Sequence, residues 1–302
     1  MSNITGGVWA TMITPFTQEN KIDYAAVESL VEWYIKNGVD GIFAVCQSSE
    51  MFWLSFDERY ELAEFVIRAA ADRAEVVVSG NVGENIETQI KEARAFAELS
   101  PQAVVFVSNR LERGGGDFLR NADKIMKEMP ENVSLGIYEC PHPSKRLLTD
   151  AECGYLAKSG RFAFLKDTSC DAEIMRKRIR IVSGTDFKLY NANAATLYET
   201  LKFGYSGYCG VMANFHPDLY AWLYKNLNRA ESERIEKYLA LSSVIESRNY
   251  PCCAKRYLAR FEGVAMNTLC RSCSSEISPA LDFELKALCE VSRETRERIK
   301  NY

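Results

Sequence analysis

Short apolar runs alternate along the chain with longer stretches of helical periodicity. The apolar runs are rich in Val, Ile, Phe and Tyr and recur roughly every 20 to 35 residues. Runs that are apolar on both faces are typical of parallel strands covered by helices. The pattern therefore predicts eight strands, at 7–14, 39–45, 75–82, 103–107, 134–140, 162–166, 188–191 and 207–213.

The segments between these runs carry helix signals. Asp23 is placed to cap a helix over 24–37. The sequences Ser-Phe-Asp-Glu at 55–58 and Thr-Asp-Ala-Glu at 149–152 are typical capping boxes, each of which opens a helix. Further helices are predicted over 84–99, 117–129, 171–181 and 194–203.

Eight βα units in series predict an α/β fold of the (β/α)8 TIM barrel type. A doubly wound sheet is the alternative, but no Gly-x-Gly-x-x-Gly follows the first strand. From residue 217 the strand signal stops, and 217–228, 231–247, 254–262 and 278–300 all have helical patterns. We therefore expect a catalytic barrel over 1–228 and a C-terminal helical domain over 229–302.

Composition limits the classes of partner. The chain of 302 residues is 47% hydrophobic and 26% charged, as in ordinary globular proteins. The net charge of -4, without a long basic run, argues against nucleic acid. No apolar stretch approaches the ~20 residues of a membrane span. The first residues lack the pattern of a secretory signal, so we expect a cytoplasmic protein whose ten cysteines are thiols.

Two cysteine groupings raise the question of a metal site. Cys270 and Cys273 have CxxC spacing, and two adjacent cysteines stand at 252–253. A zinc site uses two regularly spaced pairs, and neither histidine of the chain is close in sequence. We expect structural thiols, with no metal and no cofactor.

Lys166 closes the sixth apolar run, and small polar residues follow it at once. A lysine in this position can be a solvated strand terminus, as most lysines are exposed. It can also be an amine in a desolvated pocket that attacks carbonyl carbons to form a Schiff base. Reactive residues of such barrels lie at the carboxyl ends of several strands, so the other strand ends help to decide between the two.

Tyr138, in the neighbouring fifth run, is the candidate partner of this lysine. A phenol near an imine can pass a proton to or from the substrate carbon. Since the chain has only two histidines, tyrosine is the better acid–base candidate. The alternative is an aromatic ring that closes the barrel end, with its hydroxyl bonded to backbone. Other polar groups at the predicted strand ends are Gln47, Ser48, Asn109, Asn193 and Cys209.

Several separated segments, spread over nearly the whole chain, match one family in order. They are Ile13-Thr14-Pro15-Phe16, Ser48 with Glu50, Ile137-Tyr138 with Pro141, Leu165-Lys166-Asp167-Thr168-Ser169, 183–186, 204–207, Asn214, Asn249, Lys255 and 271–279. In these residues the chain resembles the dihydrodipicolinate synthase/N-acetylneuraminate lyase family of class I aldolases.

The resemblance implies a Schiff-base lyase that needs no cofactor. Lys166 would condense with the keto group of a 2-oxo acid, and Tyr138 would carry the proton as C–C or C–O bonds form or break. The segment Gln47-Ser48 would hold the carboxylate through backbone N–H groups and the Ser48 hydroxyl. The carbonyl of Cys209 would orient the tyrosine hydroxyl, and Gly184 would join the substrate-binding residues. The family resemblance also implies a homo-oligomer, a tetramer.

The segment after the second strand departs from the family pattern Gly-x-x-Gly-Glu. Cys46 and Ser49 replace the two glycines, and Gln47 takes the first hydroxyl position. Side chains at glycine positions crowd the backbone, so we expect altered carboxylate binding.

Two further departures concern the synthase branch of the family. Its tyrosine pair after the fourth strand is replaced by Ser108 and Asn109, and its arginine after the reactive tyrosine by Pro143, with basic residues at 145–146 out of register. We therefore expect an aldolase or dehydratase acting on pyruvate or a sugar-derived 2-oxo acid, not a dihydrodipicolinate synthase. Gln47 and Asn109 would then meet substrate hydroxyls.

Three alternatives stay open. Residues 51–53, Met-Phe-Trp, either line an apolar aldehyde pocket or pack at the start of a helix. Arg110, Arg113 and the glycines 114–116 either form a lid over an acidic substrate or are a turn with solvated arginines. The altered second-strand segment also permits a non-catalytic family member that binds a small 2-oxo acid as a regulatory or scaffold protein.

Overall fold

Eight parallel strands close into a barrel in chain order, with β8 returning to β1. The structure is a computed structural model that describes residues 4–112 and 117–300. The strands are β1 (Gly7–Thr11), β2 (Gly41–Val45), β3 (Glu75–Ser79), β4 (Ala103–Val107), β5 (Leu135–Tyr138), β6 (Phe162–Asp167), β7 (Lys188–Asn191) and β8 (Gly207–Gly210). The predicted TIM barrel is confirmed.

Five strands, β1, β2, β3, β5 and β8, are shorter than the apolar runs that predicted them. β1 stops at Thr11 and β8 at Gly210, although the runs continue to residues 14 and 213. After β8 the chain enters a 3-10 turn, Val211–Asn214, and the Asn214 amide donates to the carbonyl of Thr11 at 2.9 Å. The apolar residues beyond the strands therefore pack against the barrel end instead of extending the ladder.

A helix follows each strand. The helices are α1 (Tyr24–Lys36), α2 (Phe56–Ala70), α3 (Ile86–Glu98), α4 (Phe118–Glu128), α5 (Asp150–Lys158), α6 (Ala172–Ile181), α7 (Leu197–Lys202) and α8 (Pro217–Lys225). Both predicted capping boxes are confirmed, with Ser55 at the start of α2 and Thr149 at the start of α5. α7 begins later than predicted because Asn193 accepts a hydrogen bond from the Thr196 N–H in a preceding turn.

The predicted C-terminal helical extension is confirmed, with one correction. Its helices are α9 (Ser232–Ser242), α10 (Cys252–Tyr257) and α11 (Pro279–Lys300). The helix predicted over 231–247 ends at Ser242 and tightens into a 3-10 turn, Ser243–Ser247. The division into two domains at residue 228 stays a prediction. No helix in the described ranges is long and apolar enough to cross a membrane.

Aromatic rings fill the barrel interior. Trp9 of β1 contacts Phe164 of β6 at 5.3 Å between ring centroids, and Phe164 stacks on Tyr190 of β7 at 4.6 Å. A Cβ on Gly41 would lie 2.4 Å from the Trp9 ring, so the glycine makes room for the indole. Since side chains alternate along a strand, Lys166 lies two residues beyond Phe164 on the same interior face.

A fully buried ion pair fastens the extension to the barrel. Lys255 of α10 donates to Glu50, which follows β2, at 2.9 Å, and neither side chain is exposed. The second Glu50 oxygen accepts the backbone N–H groups of Arg271 and Ser272 at 2.6 and 2.7 Å. The charge of Glu50 is thus compensated, and the extension is held beside the carboxyl ends of the strands.

His216 lies at the junction of three helices. Its ring stacks on Tyr220 of α8, and its two nitrogens lie 3.4 Å from the hydroxyls of Ser242 in α9 and Ser292 in α11. Burial lowers the pKa of His216 to about 3, since no water reaches the charged ring. The folded protein therefore holds this histidine neutral far below the pH at which an exposed histidine takes a proton.

We predict that His216 makes stability fall in mild acid. Its pKa is lower folded than unfolded, so its contribution is complete above the ordinary value of 6.5 and is lost as the pH falls toward 3. The loss is about 1.4 kcal/mol per pH unit in that window. Urea unfolding measures the free energy of unfolding at pH 7 and at pH 4.5. Between these two values it should fall by about 3 kcal/mol more in wild type than in His216→Gln. His142→Gln, the control, should keep the full loss, and an equal loss in all three proteins would contradict the prediction.

Candidate active site

Lys166 is buried at the carboxyl end of β6. Lys166 is only 5% exposed, so it is not the solvated strand terminus that the sequence allowed as an alternative. Its Nζ lies 4.3 Å from the centroid of the Tyr138 ring and 5.8 Å from that of Phe43. Within residues 4–112 and 117–300, this amine forms no hydrogen bond or ion pair. It is a buried amine that lies over the faces of two aromatic rings.

Tyr138 is paired with Lys166 in the register of β5 and β6. Its hydroxyl lies 3.4 Å from Oε1 of Gln47, which also accepts from the Cys140 thiol at 3.2 Å. Burial raises the pKa of Tyr138 well above the usual value, so the phenol stays protonated in the free protein. The Tyr138 hydroxyl is therefore directed to a side chain after β2. Within the described residues it makes no bond to the carbonyl of Cys209, which the resemblance implied.

A cavity of about 610 Å³ opens at the carboxyl ends of the strands. Four of the predicted site residues line it, namely Gln47, Ser48, Tyr138 and Lys166. The lining also includes Trp53, Pro141, His142, Lys145, Thr168, Cys170, Ala192, Asn193, Gly210, Val211, Glu246, Tyr250, Pro251 and Ser272. The lysine, the tyrosine and the segment after β2 thus share one cavity.

Three predicted site residues are not in this lining. Asn109 directs its amide to the carbonyls of Cys140, His142 and Ser144 at 2.7 to 3.0 Å, so it holds the chain after β5 instead of meeting a substrate hydroxyl. Gly184 lies between α6 and β7, at the amino end of the barrel, where its φ of +79° suits glycine. Cys209 is buried in β8, and the following Gly210 reaches the cavity instead.

The side chains that replace the two family glycines after β2 are accommodated. The Ser49 hydroxyl lies 2.6 Å from the carbonyls of Met12 and of Ala44, so its one proton can be donated to either, and its oxygen accepts the Cys46 N–H at 3.1 Å. Cys46 and Ser49 are fully buried. The turn is therefore stabilised by the Ser49 hydroxyl at a position where the family pattern has glycine. Ser48 still lines the cavity.

One buried arginine holds the strand ends that carry the tyrosine and the lysine. Glu139 follows Tyr138, and Asp167 follows Lys166. Because side chains alternate along a strand, both carboxylates point outward to the helices. Arg178 of α6 binds Glu139 at 2.5 Å and Asp167 at 2.6 Å, and all three side chains are at most 2% exposed. The ends of β5 and β6 are thus clamped to one guanidinium.

An aromatic wall closes one side of the cavity. His142 packs against Phe52 at 5.0 Å and Trp53 at 5.5 Å between ring centroids. Trp53 lines the cavity, whereas Met51 is fully buried in the core, so the two alternatives for 51–53 each hold for part of the segment. Arg110 stacks on Phe52 at 4.8 Å from its centroid. The rest of the predicted lid, 113–116, lies outside the described residues.

Sequence reasoning missed the cavity residues that come from outside the strand ends. Glu246, Tyr250 and Ser272 belong to the extension, and their positions follow from long-range packing that no local pattern signals. Lys145 was noted as out of register, yet it reaches the cavity, while its neighbour Arg146 is paired with Glu112 and Glu152. In the described ranges, no three His, Cys, Asp or Glu side chains are arranged to hold a metal ion.

Comparison with known proteins gives a consistent result. The model of the Dihydrodipicolinate synthetase family matches residues 4–290. A 4-hydroxy-tetrahydrodipicolinate synthase of Clostridium perfringens is 25% identical over 249 residues, which are 80% of this chain and 78% of that protein.

Solved structures share the fold. The dihydrodipicolinate synthase of Bacillus anthracis superposes with a TM-score of 0.86 at 18% identity, over 96% of this chain and 99% of that one. YagE of E. coli K12, solved in complex with pyruvate, gives 0.86 at 20% identity, over 95% and 98%.

We predict that the Arg178 clamp contributes much of the stability of this end of the barrel. Arg178→Met leaves Glu139 and Asp167 buried without a counter-charge, which should cost about 3–5 kcal/mol in the free energy of unfolding. Arg176→Met, on the same helix, removes exposed pairs with Glu173 and Glu199 and a contact with the Phe203 ring, and it should cost less than about 1 kcal/mol. Urea unfolding at pH 7 measures both, and equal losses would show that the clamp has no special contribution.

Proposed function

The chain belongs to the Dihydrodipicolinate synthetase family, whose members are class I aldolase-type lyases, and we propose that Lys166 and Tyr138 carry its Schiff-base chemistry. The proposed substrate is pyruvate or a sugar-derived 2-oxo acid. The reaction needs no cofactor, because the lysine imine is itself the electron sink.

The observation that carries this proposal is the amine of Lys166, buried and unpaired in the cavity at the strand ends. Because no acceptor within the described residues binds it, it can reach a keto carbon without first breaking an ion pair. Addition to that carbon and loss of water give an iminium, which withdraws electrons from the neighbouring bonds. Formation or cleavage of a C–C bond, or loss of water, then becomes possible at the next carbon.

Tyr138 is the proposed proton carrier. Its ring lies against Lys166, and its hydroxyl turns toward Gln47 in the same cavity. Because burial raises the pKa of Tyr138, the phenol is available as a proton donor when the carbinolamine loses water and when the enamine is protonated.

The segment after β2 is the proposed carboxylate site. Gln47 and Ser48 both line the cavity. Within the described residues their backbone N–H groups have no acceptor, whereas the N–H groups of Ser49 and Glu50 donate to the carbonyls of Cys46 and Gln47 and close the turn. Two adjacent free N–H groups and the Ser48 hydroxyl together suit a carboxylate.

The names of the relatives and the side chains near Tyr138 both bear on the second substrate. The curated relatives are named as synthases, so the prediction that this chain lacks that activity finds no support in them. The chain nevertheless lacks a free arginine after Tyr138 for a second carboxylate, because the nearby Arg146 is paired with Glu112 and Glu152. Our proposal therefore keeps a sugar-derived 2-oxo acid. The homotetramer and the cytoplasmic location stay predictions.

Borohydride reduction in the presence of pyruvate tests the imine. We expect wild type to gain the mass of one reduced pyruvate adduct, located on Lys166 by peptide mass spectrometry. Lys166→Ala should gain none, while Lys145→Ala, which removes the other lysine of the cavity, should still be labelled at Lys166. Labelling that persists in Lys166→Ala would refute the assignment. Pyruvate binding without labelling of wild type would favour the regulatory or scaffold alternative.

A second prediction separates the tyrosine from the lysine. Tyr138→Phe keeps the ring that packs against Lys166 but removes the proton donor, so label should still form while turnover falls by about 10²- to 10⁴-fold. Exchange of the pyruvate methyl protons for deuterium, followed by NMR, measures this step without a second substrate. Exchange at the wild-type rate would contradict a role for Tyr138 in carrying the proton.

A further inference from the structure

Tyr250 brings a phenol hydroxyl into the cavity from the C-terminal extension. It stands between the turn Ser243–Ser247 and α10, and it lines the same cavity as Lys166 and Ser48. Its hydroxyl lies beside the hydroxyl of Ser48 and interacts with it. Ser48 belongs to the proposed carboxylate site, whereas Tyr250 has no role in the chemistry derived above.

Asn214, which follows β8, is a buried amide with a defined orientation. Its Oδ1 accepts the hydroxyl of Tyr34 of α1 at 2.5 Å. Its Nδ2 lies 2.9 Å from the carbonyls of both Thr11 and Val211. Because carbonyl oxygens only accept hydrogen bonds, the NH2 end of the amide must face these two residues. The positions of oxygen and nitrogen in the Asn214 side chain are therefore fixed by its partners.

The orientation of Asn214 decides what the Tyr250 hydroxyl can do. Nδ2 of Asn214 lies 3.1 Å from the Tyr250 oxygen. An amide NH2 group only donates, so the phenol oxygen accepts here and its own proton points elsewhere. Within residues 4–112 and 117–300 no carbonyl or carboxylate accepts that proton, and the neighbouring acceptor is the Ser48 hydroxyl. Tyr250 thus offers a hydrogen-bond donor beside Ser48.

The proposed carboxylate site contains further donors close by. The Ser48 hydroxyl donates to Oγ1 of Thr11 at 3.2 Å, which is long for a bond between two hydroxyls. The backbone N–H groups of Gln47 and Ser48 have no acceptor within the described residues. A carboxylate accepts about four hydrogen bonds through its two oxygens, so it has room for a phenol in addition to the groups of the segment after β2.

A neutral donor suits a place close to both an amine and a carboxylate. Burial raises the pKa of Tyr250 well above the usual value, so the phenol keeps its proton near neutral pH. A cation in this place would repel the iminium at Lys166, and an anion would repel the substrate carboxylate. The protonated phenol does neither, and a hydrogen bond to a charged acceptor is stronger than one between neutral groups.

We propose that Tyr250 binds the substrate carboxylate together with Ser48, so that the C-terminal extension completes the carboxylate site of the barrel. The inference rests on the proposed function, since it requires a 2-oxo acid bound at Lys166. The Tyr250 hydroxyl donates to one carboxylate oxygen while its own oxygen still accepts from Asn214. Tyr250 makes and breaks no covalent bond in this role.

The test measures how imine formation depends on pyruvate concentration. Tyr250→Phe keeps the ring and removes the hydroxyl. Ser48→Ala removes the other hydroxyl, and Tyr60→Phe is the matched control, at a half-buried tyrosine of α2 that does not line the cavity. The initial rate of labelling is followed by mass spectrometry with cyanoborohydride, which reduces the imine. The same series is run with methyl pyruvate, in which a neutral ester replaces the carboxylate.

We expect the half-saturating pyruvate concentration of Tyr250→Phe to rise about 10- to 100-fold, because a hydrogen bond to a charged group is lost. The labelling rate at saturation should change little, since the hydroxyl takes no part in the covalent steps. With methyl pyruvate, Tyr250→Phe and wild type should behave alike. Ser48→Ala should show the same difference between the two compounds, and Tyr60→Phe should match wild type with both.

Two results would overturn the inference and leave the proposed function intact. The first is a pyruvate dependence of Tyr250→Phe equal to that of wild type, while Ser48→Ala still shows the increase. The second is an equal loss with pyruvate and methyl pyruvate in Tyr250→Phe, because the hydroxyl would then support the shape of the cavity and not the carboxylate. A wild-type protein that pyruvate does not label would instead refute the proposed function, and with it this inference.

Discussion

The arrangement of the cavity depends on one buried guanidinium. Strand alternation means that if Tyr138 and Lys166 face the barrel interior, the residues after them face the helices. Those residues are Glu139 and Asp167, and two carboxylates in the helix layer would repel each other and lose their hydration. Arg178 compensates both charges with hydrogen bonds from one side chain. Tyr138 and Lys166 inside the barrel are thus held in register by charges outside it.

A second buried charge joins the C-terminal extension to the same end of the barrel. Glu50 binds Lys255 of α10 and the backbone of Ser272, so the segment after β2 and the extension cannot move independently. The extension contributes Ser272, Tyr250 and Glu246 to the cavity. The barrel supplies Lys166 and Tyr138, the proposed reactive groups, and the extension supplies part of the remaining wall of the cavity.

The sequence predicted the parts of the site that follow from strand periodicity. Lys166 and Tyr138 stand at the ends of regular apolar runs, so the barrel alone brings them together. Asn109 follows a strand too, but its amide donates hydrogen bonds to three carbonyls of the loop after β5. No local pattern predicts the path of that loop. Glu246 had no local signal, because its place depends on how the extension packs. Ser49 was expected to crowd the turn, and its hydroxyl instead bonds the backbone there.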